Sequence, residues 1–204
     1  MDLDHPFFLS ATWHVPVNGK LHKIGFEHVV MVGVGIIRVD DKIVLHESSY
    51  PGKPARDTFK VSGVNCIIKV QEISEHIFQA NLEVDGRSFK DYQEQFNQKF
   101  ITWKPITVAG KDVSVVLDKE TLEVWRDGNA IDTTRDFTES GIATFFQLDS
   151  TPCKILSDGT SGKRTMTHIL YANDVEVPIV VEVDERPIKL DLTGTLKSKK
   201  KNYK

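Results

Sequence analysis

Between Lys23 and Asn173, β-branched and aromatic residues recur at every second position, and turn residues interrupt them about every ten residues. Alternation of this kind gives each strand one apolar and one polar face, so the chain reads as an all-β protein of antiparallel strands. The clearest strands are KIGFEH, GIIRV, KIVLH, TFKVS, NCIIKV and HIFQANLEV in the first half, then DVSVVLD, LEVWR, NAID, ATFFQL, PCKIL and THILYAN in the second. Helical spacing is scarce. Ser88 to Tyr92 carries an N-cap pattern with helical spacing on to Phe96, which predicts one short helix, an irregular linker being the alternative.

The two halves share more than composition. Phe59 stands seven residues before Cys66 and Phe146 seven before Cys153, an offset of 87 in both cases (146 − 59 and 153 − 66). Asp40 matches Asp127 at the same offset, flanked by Ile37 and Val44 in one half and by Val124 and Ile131 in the other. Gly19-Lys20 matches Gly110-Lys111, and Ile24 and Phe26 match Val115 and Leu117. Agreement in strand phase, turn position and cysteine position predicts an internal duplication: two tandem β-sandwich-like modules, residues 1–96 and 97–192, followed by a disordered basic tail at 193–204. The boundary is expected in the polar stretch Gln93 to Lys99.

One segment departs from the match. Ten residues separate Phe26 from Ile37 but only six separate Leu117 from Val124, and VVMVGVG (29–35) supplies the excess. The uncharged run from Val29 to Ile37 is less than half of the roughly 20 residues a membrane span needs. Gly33-Val34-Gly35 leads into Ile36-Ile37-Arg38 without a third glycine or a following helix, so it is no phosphate loop. An extended hairpin arm or a glycine-bent bulge is expected, covered by other parts of the chain or engaging a second chain through Val30 and Val32.

The 204 residues carry a net charge of −3, with pI ≈ 6.2. No chain-wide basic field exists for nucleic acid or an anionic membrane. Acidic residues stand where a secretory signal would be basic, and the two cysteines form no CxxC, so a reducing, cytoplasmic setting is expected. Both cysteines lie in alternating apolar strands and read as buried small hydrophobes. Seven histidines occur as singletons without metal-ligand spacing, so neither metal nor cofactor is expected. Glu182 and Asp184 read as a solvated strand face, and Trp13, Trp103 and Trp125 as core, the alternative being a sugar- or ligand-binding platform. An enzyme built on Cys153 and His168 is the least favoured reading; the expectation is no enzyme.

HKIGFEH (22–28), ITW (101–103), VVLDKETLEVWRDGNAID (115–132), GIATFFQL (141–148) and SGKR (161–164) followed by THILYAN together resemble the Fas apoptotic inhibitory molecule family. The similarity spans about residues 11 to 178. It implies a cytosolic, non-enzymatic protein of two β-rich domains that dampens apoptosis and protects against protein aggregation, with death-receptor signalling components or misfolded proteins as partners. Lys163 and Arg164, in the glycine-containing turn where the resemblance is closest, are the expected docking point for an acidic partner surface. Two departures stand out: VVMVGVG replaces the polar, basic loop typical of the family, and 26 residues follow Pro178, including the candidate strands IVVEVDE (179–185) and IKLDL (188–192).

Overall fold

A computed structural model describes residues 8–29, 33–48, 55–74, 77–104, 106–159, 166–180 and 190–191. The described residues divide into two compact units. The first takes in 8–15, 22–93 and 190–191, and the second 16–21 and 94–180.

The first unit holds two antiparallel sheets. One has the order β1-β2-β3-β4, from β1 (Phe8–Val17), β2 (Lys20–Val29), β3 (Val34–Val39) and β4 (Lys42–Ser48). The other contains β5 (Ala55–Val61), β6 (Val64–Ser74) and β7 (Ile77–Val84), with β8 (Arg87–Ser88) also on β7. Its buried side chains follow the period of two: Ile24 and Phe26 on β2, Phe59 and Val61 on β5, Cys66, Ile68 and Val70 on β6, Leu82 and Val84 on β7. That is the alternation the sequence shows, with one face inward.

The helix α1 (Phe89–Lys99) follows. Ser88 caps it: its Oγ accepts the Asp91 N–H at 3.1 Å while donating to the Asp91 carboxylate at 2.7 Å. The chain passes from the first unit to the second inside this helix, at Gln93/Glu94.

The second unit contains β9 (Phe100–Thr102), β10 (Ile106–Val108), β11 (Lys111–Val113), β12 (Val115–Asp118), β13 (Val124–Arg126), β14 (Asn129–Ala130), β15 (Thr134–Phe137), β16 (Gly141–Leu148), β17 (Thr151–Asp158), β18 (Thr167–Ala172) and β19 (Val175–Val177). They form a β10-β11 pair and two larger sheets, β14-β13-β12-β9 and β15-β16-β17-β18-β19. A single core joins both larger sheets: Trp103, Val115, Leu117 and Val124 from one side, Phe146, Leu148, Cys153, Ile155 and Leu170 from the other. This is the construction of a β-sandwich. A last short strand, β20 (Leu190–Asp191), lies within the IKLDL segment that the sequence reading grouped with 97–192, and it pairs with β7 of the first unit.

Several of the matched sequence positions form corresponding cross-strand pairs. Phe26 pairs across with Ile37, and Leu117 with Val124. Phe59 pairs with Cys66, and Phe146 with Cys153. Four two-residue connections in each half of the sequence have a first residue of positive φ: Asn18 and Ala109, Asp40 and Asp127, Ser62 and Asp149, Asp85 and Asn173. Their offsets are 91, 87, 87 and 88. In every one of these turns but Asp149-Ser150 the second residue is positive as well, the pairing a tight hairpin needs to match the right-handed twist of its strands. Beyond Phe26 and Ile37 the first unit continues pairing as far as Val29 and Val34, so the described flanks of VVMVGVG form an extended hairpin arm. β3 has a neighbour on each side, which leaves no open edge there.

Candidate functional site

Lys163, Arg164, Val30 and Val32 lie outside the described residues, and so do Glu182, Asp184 and the tail at 193–204. Described residues flank the first four. Asp158 pairs with Thr167, so SGKR belongs to the connection between β17 and β18. Val29 pairs with Val34, and the Gly33 N–H donates to the Val29 carbonyl at 2.9 Å, so Val30 and Val32 belong to the tip of the β2–β3 hairpin.

The cysteines are inside. Cys66 is 0% and Cys153 4% exposed, and both are free thiols. Burial alone pushes the Cys66 thiol up to about 11, and it does the same to Cys153. A neutral, buried thiol is a poor nucleophile. Maleimide should therefore label the native protein slowly at both positions and label urea-unfolded protein fast, which thiol quantification under the two conditions measures. Cys153 and His168 are not partners: Cys153 pairs with Ala172, whereas His168 pairs with Ser157, four residues along the strand. At about 3.3 Å per residue that is roughly 13 Å.

Trp13 and Trp103 are buried, and Trp125 is half-buried with the Phe100 ring at 5.8 Å, so the three do not form an exposed platform. Among the described residues no group of three or more histidine, cysteine or carboxylate side chains could hold a metal, and no helix is long and apolar enough to cross a membrane.

Two buried histidines stand near neutrality in the fold. His168 Nδ1 lies 2.8 Å from Ser157 Oγ; desolvation, helped by the Lys119 ammonium, lowers its pKa below the usual 6.5. Desolvation lowers His28 likewise, and its Nδ1 has no hydrogen-bond partner among the described residues. Both rings are thus held neutral. Above the unfolded value of about 6.5 neither state binds the proton and nothing is lost; as pH falls below it the unfolded chain takes up protons the folded one resists, so stability drops. Urea midpoints measured from pH 7.5 down to 5 should fall, and fall less in His168→Gln.

One polar cluster escaped the sequence reading. His22, on β2, places Nδ1 2.8 Å from Asp40 Oδ2 and Nε2 2.9 Å from Ser62 Oγ. Asp40 opens the β3–β4 turn and Ser62 the β5–β6 turn. Asp40 Oδ1 also accepts the Lys23 N–H at 3.0 Å, which fixes the carboxylate. The His22 ring is buried while Ser62 is exposed. The three residues are 18 and 40 positions apart in sequence. Of the three, only Asp40 was marked in the sequence, as a turn position, and that gave no sign of the other two.

The sequence profile of the Fas apoptotic inhibitory molecule family matches residues 9–180. The chain is 32% identical over 178 residues to Fas apoptotic inhibitory molecule 1 of Bos taurus, covering 85% of this chain and 88% of that protein. It is 32% identical over 174 residues to the Mus musculus protein of the same name, covering 83% and 96%, and 29% identical over 174 residues to that of Homo sapiens, with the same coverage. With the profile spanning nearly all the described strands, this chain belongs to the Fas apoptotic inhibitory molecule family.

Proposed function

We propose that this chain restrains apoptosis by binding protein partners in the cytoplasm, and that this role needs no catalytic turnover. The observation that carries the reading is the family match over 9–180, which takes in both units. The paired turns and paired Phe–Cys rungs support a further element of it: the two units are copies of one module, which gives the chain two related surfaces. The β17–β18 connection with Lys163 and Arg164, and the β2–β3 hairpin tip with Val30 and Val32, are the proposed partner-binding segments. Short connections on a rigid sheet scaffold are where contact residues concentrate.

Cells stripped of their own Fas apoptotic inhibitory molecule test it. Expression of this chain should restore survival under Fas ligand, and Lys163→Glu with Arg164→Glu should remove that rescue at equal protein level. Failure of the wild-type chain to rescue would end the reading. Protection against aggregation, the finer part of the proposal, has its own test: the chain at a tenth of the reporter's concentration should slow heat-induced aggregation of a labile reporter protein, and unaltered light scattering would remove that part alone.

A further inference from the structure

We propose that Ser62 is an activated nucleophile, and that Ser62, His22 and Asp40 together accept an acyl group from small activated esters and hydrolyse it slowly. The inference is independent of the partner-binding reading. Its basis is the agreement of atoms, not of residue types alone. A serine nucleophile needs a base on its Oγ through one imidazole nitrogen and an orienting carboxylate on the other. Here His22 Nε2 takes the first role at 2.9 Å and Asp40 Oδ2 meets Nδ1 at 2.8 Å. With Nδ1–H donating to Asp40, Nε2 is left to receive the Ser62 proton.

The access is also suited. Ser62 is an exposed residue with φ +46° at the head of a tight turn, while the imidazole behind it is buried, with only 7% of its side chain exposed. Gly63 follows with φ +88°, and a Cβ there would meet nothing within 4 Å, so an ester carbonyl can approach over the turn. The Gly63 N–H makes no hydrogen bond among the described residues and is the donor available to the developing oxyanion.

The second unit shows that the turn does not require this trio. There Asp127 Oδ1 accepts the Ser114 N–H at 3.0 Å, as Asp40 Oδ1 accepts that of Lys23. The residue before Ser114, however, is Val113, and the matched turn begins with Asp149, which is bound to Arg126 through two hydrogen bonds of 2.8 and 3.0 Å. The matched hairpin is thus closed with an aspartate–arginine pair in place of the serine–histidine contact, its own serine, Ser150, standing second in the turn. The histidine and serine of the first unit are an addition that the fold does not demand.

In the reaction, Ser62 Oγ attacks the ester carbonyl carbon and its proton passes to His22 Nε2. The C–O bond to the leaving alcohol breaks as that alcohol takes the proton, leaving acyl-Ser62. Water then attacks the acyl carbon, His22 takes a proton from it, and Ser62 regains that proton as the acid departs.

The test uses the full chain with a fluorophosphonate probe and with p-nitrophenyl acetate. Peptide mapping should place the phosphonyl group on Ser62, and the ester should give a burst of about one equivalent of p-nitrophenol followed by slow turnover. Ser62→Ala, which removes the Oγ facing His22 Nε2, should abolish both. Asp40 is a positioning residue. Asp40→Asn should lower the labelling rate at least about 100-fold at unchanged melting temperature, and should remove the downfield imidazole N–H proton resonance of His22. Absence of labelling on native protein under conditions that label a reference serine hydrolase overturns the proposal. Equal labelling of the Ser62→Ala variant overturns it as well.

Discussion

Gly19→Ala should destabilise the protein by about 3 kcal/mol or more, the sum of a left-handed backbone penalty and a steric one. Gly19 has φ +73°, and a Cβ built on it would sit 2.2 Å from the Trp125 ring. An aromatic ring cannot yield as the tip of a lysine can. The surroundings are fixed as well: the Gly128 N–H donates to the Gly19 carbonyl at 3.1 Å, and the Leu21 N–H to Ser114 Oγ at 3.0 Å. Gly63→Ala is the control, because it carries a comparable φ with open space around it and should cost only the backbone part, about 1–2 kcal/mol. Urea denaturation of both variants measures the difference. Trp125→Leu in the Gly19→Ala background should recover part of the loss, since the smaller side chain frees the site. Equal cost for the two glycines would show that the ring moves away freely.

Trp103→Ala should cost about 3–5 kcal/mol, the range for emptying a large aromatic site in a packed core. Trp103 is fully buried among Val115, Leu117, Leu148 and Leu170 of the second unit's core. It also ties two segments together: its backbone N–H donates to the Val115 carbonyl at 3.2 Å, and it forms a bridge with Ile179. Its indole Nε1 has no partner among the described residues. Removing that unsatisfied donor is favourable in itself, so Trp103→Phe should cost below about 2 kcal/mol despite the smaller ring. Thermal melts of the two variants give the contrast. A phenylalanine variant as damaged as the alanine one would mean that the indole nitrogen is bonded in solution, through an ordered water for instance.

Much of this was legible in the residues, for a physical reason. Side chains in a strand alternate faces, so burial of Ile24, Phe26, Cys66 and Ile68 could be read from spacing alone. Turn chemistry is equally local: Asp127-Gly128, Gly19 and Gly110 mark the positive-φ positions the strands turn on. Ser88 and the spacing to Phe96 marked the helix, which runs on to Lys99 and whose start Ser88 caps by accepting the Asp91 N–H.

Neighbour relations were not legible. A period of two says which way a side chain points but not which strand lies beside it. The serine–histidine–aspartate cluster exists because β2 and two separate turns meet, and none of the three residues has an unusual sequence context. The same holds for the first hairpin's tip, Pro16–Leu21, which belongs to the second unit, and for Leu190–Asp191, which adds to β7 across more than a hundred residues of chain. The sequence by itself determined the class of fold, the places where the chain reverses and the side chains that leave water, because these depend on the conformations open to single residues and on alternation between neighbours. The tertiary structure alone decided which turns come together, and with that whether His22, Asp40 and Ser62 are three scattered polar residues or one site, because strand pairing over long separations is set by the packing of whole sheet faces.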